Sequence, residues 1–268
     1  MNYRLVAVDL DGTVVNREGA IIPGAGEAIQ RVLACGLTVT LATGRMYEPA
    51  NRFAEELNIT APLICHQGAL IREQGNGQVL WHMPLPAQLA RKVIAEIREE
   101  GVHQYAYVDG AIYVEGWRED DIRYAQHNGA ELRLVDDLTA LAERQPTEIA
   151  ARGGEEEIDR LVARLRVSCG SEVIVNKIHS SFCEIARAGS GKGNALEYLA
   201  ERLGIPQSQT VAIGDSPNDI SMLEWAGLGI VVGDAPDEVR ASADWVVDHG
   251  SEDSFREAIA RLLDHSDL

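Results

Sequence analysis

Apolar strand-like segments alternate with amphipathic helices at both ends of the chain, and this alternation restricts the fold more than any other feature of the sequence. The first part of the order is a strand at 4–8, a helix at 25–35, a strand at 37–42, a helix at 46–57 and a strand at 62–65. Neighbouring parallel strands need helical crossovers of this kind, which are nearly always right-handed. The pattern predicts the α/β class, with a Rossmann-like, doubly wound parallel sheet.

Two stretches depart from this alternation. Residues 14–22 show no helical period and predict a short hairpin directly after the first strand. Between residues 84 and 187, hairpin patterns replace the crossovers, as at the dipeptide Asp109-Gly110, which favours a two-residue turn. Beyond this block the α/β order resumes. The expected domains are a discontinuous core over 1–83 and 188–268 and an inserted α+β cap domain over 84–187, connected through Met83 to Leu85 and Arg187 to Gly191.

The charge balance excludes several classes of partner. Lys and Arg number 24 and Asp and Glu 42, which gives a net charge of −18. Such a surface repels nucleic acid and anionic lipid, whereas a small phosphate ester can still bind where a metal and a few cations cluster locally. The four cysteines are isolated, and no apolar run approaches the roughly 20 residues that span a bilayer. We expect a cytoplasmic protein, a monomer or a small homo-oligomer, that binds neither nucleic acid nor membranes.

Polar residues follow the predicted strands at the edge where the carboxyl ends meet, and ligands of such sheets bind at this edge. These residues are Asp9 and Asp11 after the first strand, Thr43, Gly44 and Arg45 after the second, Asp215 and Asp219 after a strand at 210–213, and Lys192 at the start of the helix that follows the insert. Alone, each could be a turn residue, a helix cap or a solvated lysine. Together, the carboxylates would repel one another without a divalent cation, and oxygen donors favour Mg²⁺.

The polar residues form four motifs that resemble those of the haloacid dehalogenase superfamily. The motifs are Asp9-Leu10-Asp11-Gly12-Thr13, Thr43-Gly44-Arg45, Lys192-Gly193 and Gly214-Asp215 through Asp219. With the αββ(αβαβ)αββ pattern of the insert, nearly the whole chain resembles the Cof-type sugar-phosphatase branch, which carries a large C2B cap. The resemblance implies a Mg²⁺-dependent phosphatase that acts on small phosphomonoesters, such as sugar phosphates. Two positions depart from the family pattern, because Gln67 and Ser216 stand where Asn is frequent.

The resemblance also implies a role for each motif residue. Asp9 is the implied nucleophile, which forms an aspartyl-phosphate, and Asp11 is the implied general acid and base. The residues implied to contact the phosphoryl group are Gly12, Thr43 and Lys192, with Gly44 beside them as a substrate-binding residue, while Arg45 and Asn218 are implied either at the phosphate or at the edge of the cap. The residues implied at the metal are Asp9, Asp215, Asp11 through its main-chain carbonyl, and Asp219, which holds either Lys192 or a metal-bound water.

Lys177 and His179 are the candidates for substrate selection in the inserted domain. The pattern there predicts strands at 172–176 and 180–186, with both residues in the turn between them. If the insert closes over the site as a lid, this turn contacts the leaving group of the substrate. A solvated turn explains the same residues equally well.

Two other functions stay open from the sequence. A phosphomutase of the same superfamily would form the same intermediate on Asp9 and return the phosphoryl group to a sugar. A catalytically silent protein would keep the scaffold only to bind a phosphate ligand. The presence of Asp9, Asp11 and Lys192 disfavours this second alternative.

Overall fold

The computed structural model describes residues 3–248 and 253–266 and has the alternation of strands and helices predicted for the two ends of the chain. The strands are β1 (Leu5–Val8), β2 (Thr38–Leu41), β3 (Leu63–Cys65), β4 (Leu70–Arg72), β5 (Val79–His82), β6 (His103–Val108), β7 (Ala111–Val114), β8 (Glu131–Leu134), β9 (Glu148–Arg152), β10 (Val173–His179), β11 (Phe182–Arg187), β12 (Thr210–Gly214), β13 (Leu228–Val232) and β14 (Trp245–Val247). The helices are α1 (Ala25–Ala34), α2 (Tyr47–Glu56), α3 (Ala87–Glu100), α4 (Glu119–His127), α5 (Glu155–Ser168), α6 (Lys192–Arg202), α7 (Ile220–Trp225), α8 (Asp237–Arg240) and α9 (Ser254–Ser266).

The chain divides into two compact units. One comprises Met1–Trp81 with Gly191–Leu268, and the other comprises His82–Ser190. The assignment of these units to a core domain and a separately moving cap domain stays a prediction. Within residues 3–248 and 253–266, no helix combines the length and the apolar character needed to cross a membrane.

A five-stranded parallel sheet forms the centre of the first unit, with strand order β14-β13-β12-β1-β2. Every residue of β1 is buried because apolar side chains pack against both faces of the sheet. Val6 and Val8 belong to one core and Leu5 and Ala7 to another. A parallel strand covered on both faces has a continuous apolar sequence, which is the signal that predicted it. The α/β class and the Rossmann-like sheet are confirmed.

The third predicted strand lies outside this parallel sheet. β3 pairs antiparallel with β4, and both belong to a three-stranded sheet of order β3-β4-β5. A parallel bridge from Ala42 to Ile64 connects β3 to the end of β2. The reason for the difference is the tight turn at His66–Gly68, which reverses the chain immediately after β3 and pairs it with its own continuation.

The second unit contains a six-stranded sheet of order β10-β11-β9-β6-β7-β8. The β7–β8 pair is parallel, whereas the other pairs are antiparallel. Apolar residues of α3 and α5, such as Ile94 and Leu161, pack in one core with Ala106 and Val108 of β6. This arrangement is the α+β organisation expected of the insert.

The last hairpin of the second unit differs from the sequence prediction. β10 continues to His179, with Asn176 opposite Glu184 and Lys177 opposite Cys183, and the turn lies at residues 180–181. Lys177 was predicted to lie in the turn, but its β-branched neighbours Val175 and Ile178 favour extended backbone. Lys177 and His179 therefore belong to a strand, with a register shift between them.

Candidate active site

The register of the parallel sheet brings the ends of β1, β2 and β12 side by side. Asp9 directly follows β1, and its N–H donates to the carbonyl of Ile213 at 2.9 Å. The loop after β2 carries Thr43, and the loop after β12 carries Asp215. These three predicted residues therefore share one edge of the sheet.

The turn after β1 passes close to Asp215. Gly12 has a φ of +92°, and a Cβ at this position would lie 2.3 Å from Asp215 Oδ2, so the position requires glycine. The N–H of Gly12 donates to the carbonyl of Val15 at 2.8 Å. Thr13 Oγ1 donates to Asp215 Oδ1 at 2.8 Å. Gly12 therefore contributes space for Asp215, while its own N–H is used inside the turn, and Thr13 orients the carboxylate.

Lys192 supplies a buried cation at this edge. The residue is 1% exposed at the start of α6, and Nζ donates to Asp9 Oδ1 at 2.5 Å and to Asp219 Oδ1 at 2.6 Å. The start of α6 packs closely on α7, since a Cβ on Gly193 would lie 2.3 Å from the carbonyl oxygen of Ser221. The N–H of Gly193 also donates to Ser221 Oγ at 3.1 Å. This packing fixes the helix terminus from which Lys192 extends.

Both carboxylate oxygens of Asp219 accept hydrogen bonds within the protein. Oδ1 accepts from Lys192, and Oδ2 accepts from the N–H groups of Asp215 at 3.1 Å and Ser216 at 3.0 Å. A Cβ on Gly214 would lie 2.5 Å from Asp219 Cγ, so a larger residue would displace the carboxylate. Of the two roles implied for Asp219, these contacts match that of holding Lys192.

Three carboxylates and one ammonium share this buried region, which therefore carries excess negative charge. Burial, and then repulsion from Asp219, raise the pKa of Asp9 well above its usual value although Lys192 opposes the shift. Burial also raises the pKa of Asp215 to about 6, against the hydrogen bond from Thr13. Burial alone would lower the pKa of Lys192, but attraction by Asp219 and Asp9 outweighs it and raises that pKa. The region lacks positive charge even before a phosphate binds.

The same carboxylates fit a divalent cation. One oxygen from each of Asp9, Asp215 and Asp219 lies within 4.8 Å of the others. Hard oxygen donors suit Mg²⁺, and a cation would offset the excess negative charge. Asp9 and Asp215 are the better direct ligands, because the oxygens of Asp219 already accept several hydrogen bonds. The part implied for the main-chain carbonyl of Asp11 stays a prediction.

Asp11 carries a half-exposed carboxylate that binds Arg45. Arg45 Nε donates to Oδ2 at 2.9 Å and Nη2 donates to Oδ1 at 2.5 Å, while the guanidinium lies 4.8 Å from the ring centroid of Phe53. Two parallel bonds of this kind fix the orientation of a carboxylate. Arg45 was expected at the phosphate or at the edge of the cap, which stays a prediction, and in the structure its guanidinium contacts the expected general acid.

Thr43 is buried where β2 ends. Its Oγ1 accepts from the N–H of Arg45 at 3.1 Å, and its own N–H donates to the carbonyl of Ile64 at 2.9 Å. A hydroxyl that accepts one bond still has a proton to donate. The turn therefore holds an O–H donor at the edge that also carries Asp9.

The two positions that depart from the family pattern both contact Asn218. Asn218 Nδ2 donates to Gln67 Oε1 at 2.8 Å, and the hydroxyl of Ser216 donates to Asn218 Oδ1. A Cβ on Gly44 would lie 2.3 Å from Gln67 Nε2. The side chain of Gln67 therefore leaves no space for a residue larger than glycine at position 44, as the side chain of Asp215 does at position 12.

The candidate residues of the second unit have different surroundings from those predicted. Lys177 extends toward α5 and its ammonium bonds Asp159. His179 Nδ1 lies 3.2 Å from Ser181 Oγ, and its ring centroid lies 5.6 Å from that of Phe182. Contact of either residue with a substrate stays a prediction.

The chain is similar over almost its full length to phosphatases and to proteins of solved structure. The family model of haloacid dehalogenase-like hydrolases matches residues 6–259. Pyridoxal phosphate phosphatase YbhA of Escherichia coli is 29% identical, with 97% of this chain and 98% of the relative covered. The 5-amino-6-(5-phospho-D-ribitylamino)uracil phosphatase YwtE of Bacillus subtilis is 30% identical, with the same coverage. The crystal structure of TM0651 from Thermotoga maritima has a TM-score of 0.85 at 28% identity and covers 97% of both chains.

The chain belongs to the haloacid dehalogenase-like hydrolase family. It is a phosphatase of that family, a phosphoric monoester hydrolase, and its resemblance to the Cof-type branch is confirmed.

Several contacts at the site were missed from the sequence. The hydrogen bond from Thr13 to Asp215 could have been anticipated from the sequence. Thr13 directly follows Gly12 and carries the first polar side chain beyond the turn. The links from Gln67 to Asn218 and from Ser221 to Gly193 had no such signal. Each joins segments that are far apart in the sequence, the second of them the starts of α6 and α7.

Proposed function

We propose that this chain is a Mg²⁺-dependent phosphatase that hydrolyses small phosphomonoesters through an aspartyl-phosphate on Asp9. The observation that carries the proposal is the buried contact of Lys192 with Asp9 at 2.5 Å and Asp219 at 2.6 Å. An ammonium in this position neutralises part of the charge that a phosphate brings toward the nucleophile. Membership of the family supports the same reaction class.

In the first step an oxygen of Asp9 attacks phosphorus while the bond from phosphorus to the ester oxygen breaks. Asp11 gives its proton to that ester oxygen, so the leaving group departs as an alcohol. Thr43 and Lys192 donate hydrogen bonds to the remaining phosphoryl oxygens, whose charge distribution changes in the transition state.

In the second step water attacks phosphorus and the bond from phosphorus to Asp9 breaks, which restores the carboxylate. Asp11 accepts a proton from this water and is ready for the next cycle. The bidentate contact from Arg45 supports a fixed orientation of Asp11 in both steps. Mg²⁺ held by Asp9 and Asp215 would supply positive charge that offsets the phosphate.

Small, chemically diverse phosphate esters are the proposed substrates. Relatives named for pyridoxal phosphate and for a phosphorylated ribitylaminouracil support a substrate panel that contains both compounds as well as sugar phosphates. We also propose that the second unit selects the leaving group, with Lys177 and His179 as its candidate contacts. A cytoplasmic location, a monomer or small homo-oligomer, and the absence of nucleic-acid and membrane partners are part of the same proposal.

The test is phosphate release by the purified chain with Mg²⁺ across this panel and p-nitrophenyl phosphate. We expect release from several esters, with turnover removed by Asp9→Asn, because the amide matches the carboxylate in shape but is a poor nucleophile. Asp237→Asn, at an exposed position of α8, is the matched control and should behave as wild type. Lack of release from every ester would overturn the proposal, and isomerised sugar phosphate without release would replace it with a phosphomutase.

A further inference from the structure

The turn after β3 contains three successive residues in the left-handed backbone region. His66, Gln67 and Gly68 have φ values of 50°, 54° and 99°. Glycine adopts this region freely, whereas histidine and glutamine are strained in it. Strain of this kind persists when the surrounding structure fixes the residue, and it is frequent at functional sites.

The backbone of this turn contacts two loops of the site. The N–H of Gln67 donates to the carbonyl of Thr43 at 3.1 Å, and the N–H of His66 donates to the carbonyl of Arg45 at 3.0 Å. On the other side, a Cβ on Gly68 would lie 2.4 Å from the carbonyl oxygen of Gly191, the residue before Lys192. The turn therefore lies between the loop after β2 and the start of α6.

The side chain of Gln67 reaches a third loop. Gln67 is 7% exposed, and its Oε1 accepts from Asn218 Nδ2 at 2.8 Å in the loop after β12. Its Nε2 lies so close to Gly44 that a Cβ there would be 2.3 Å away. The buried side-chain amide of Gln67 therefore lies between the backbone of Gly44, in the loop of Thr43, and the side chain of Asn218.

We propose that Gln67 is a positioning residue, which holds Asn218 and the loop of Thr43 in a fixed relation at the phosphate site. The inference rests on the proposed phosphatase function and adds a residue that acts through others. The left-handed conformation is retained because it directs the Gln67 side chain along this path. Since Ser216 bonds the other end of the Asn218 amide, the two departures from the family pattern act on the same side chain.

The test compares Gln67→Ala, Gln67→Gly and Asn218→Ala with wild type, using p-nitrophenyl phosphate and Mg²⁺. We expect both Gln67 variants to lose kcat/KM by about 10-fold to 100-fold, the range expected when a group of the site is misplaced. Glycine relieves the left-handed strain, so Gln67→Gly should melt at a higher temperature than Gln67→Ala while showing the same loss of activity. Equal activity loss at unequal stability separates positioning from a purely structural role.

The double variant Gln67→Ala/Asn218→Ala tests whether Gln67 acts through Asn218. The double variant should lose no more activity than Asn218→Ala alone, because the second change removes an interaction that is already broken. Multiplied losses would overturn the proposal, as would wild-type activity in Gln67→Ala.

Two variants away from the site serve as matched controls. Gln30→Ala removes a glutamine whose Nε2 donates to the carbonyl of Leu57 at 2.7 Å, and Asn58→Gly relieves a left-handed residue with a φ of 55°. Both should change the melting temperature without changing kcat/KM. If wild type itself releases no phosphate, the proposed function fails, whereas an active wild type with an unaffected Gln67→Ala refutes only the positioning role.

Discussion

Replacement of Lys192 by methionine tests the charge balance of the site most directly. Lys192 is fully buried, and its ammonium contacts Asp9 and Asp219 at 2.5 Å and 2.6 Å. Methionine keeps most of the volume but leaves the carboxylates of Asp9, Asp215 and Asp219 without their buried cation. Loss of one partner from a buried ion pair costs about 3 to 5 kcal/mol of folding free energy. A domain with a typical stability of about 5 to 15 kcal/mol should still fold.

The same change should lower activity on every substrate. Lys192 acts on the phosphoryl group that all esters share, and loss of one such donor typically lowers kcat by about 10² to 10³. The kinetic assay is kcat/KM for p-nitrophenyl phosphate, pyridoxal phosphate and a sugar phosphate. Unequal losses among the three would show that Lys192 contacts the leaving group.

The stability assay is urea unfolding with and without Mg²⁺. A cation held by Asp9 and Asp215 replaces part of the lost charge, so the destabilisation should be smaller with Mg²⁺. A cation present at 100 times its dissociation constant adds about 2.7 kcal/mol to the free energy of unfolding. Lys92→Met, at an exposed position of α3, is the matched control and should change little. An unchanged free energy of unfolding in Lys192→Met without Mg²⁺ would refute the charge-balance reasoning.

The other predictions concern the metal, a buried carboxyl group and the second unit. Excess chelator should remove phosphate release and added Mg²⁺ should restore it, because the carboxylates need a cation before phosphate can enter; full turnover in chelator contradicts the metal assignment. Burial raises the pKa of Glu148 to about 8, so between about pH 4.5 and 8 the folded state keeps a proton that the unfolded chain releases. The free energy of unfolding should therefore fall as pH rises through this range, by up to about 1.4 kcal/mol per pH unit relative to Glu148→Gln, and parallel pH profiles of the two proteins would disprove it. Lys177→Ala and His179→Ala should each change the ranking of substrates more than they change kcat/KM for p-nitrophenyl phosphate, because both residues lie on the hairpin proposed to select the leaving group; parallel losses on every ester would show that this hairpin is not the specificity element.

The parallel sheet could be predicted because its strands are buried on both faces. In β1 the two sets of alternate residues pack in different cores, so the whole segment must be apolar, and the acidic residues begin directly where the strand ends. The same logic located Thr43 and Asp215. Residue type and strand end are local properties of a sequence, and local patterns were sufficient to predict them.

Strand partners and turn positions could not be predicted in the same way. β3 has the composition of a core strand, but the left-handed turn at His66–Gly68 returns the chain along it as β4. In β10, the pattern predicted Lys177 in a turn, yet its position opposite Cys183 keeps it in the ladder. Both outcomes depend on which strand lies alongside, which a single segment does not specify.

Arg45 illustrates that a sequence motif does not specify the partner of each of its side chains. The motif suggested a role for Arg45 at the phosphate or at the edge of the cap, and in the structure the N–H of Arg45 donates to Thr43 Oγ1 while the guanidinium contacts Asp11. An arginine that holds the expected general acid with two bonds affects proton transfer through orientation, whereas one on the phosphate would affect binding. The distinction depends on the backbone path between residues 43 and 45, which the order of residue types alone does not determine.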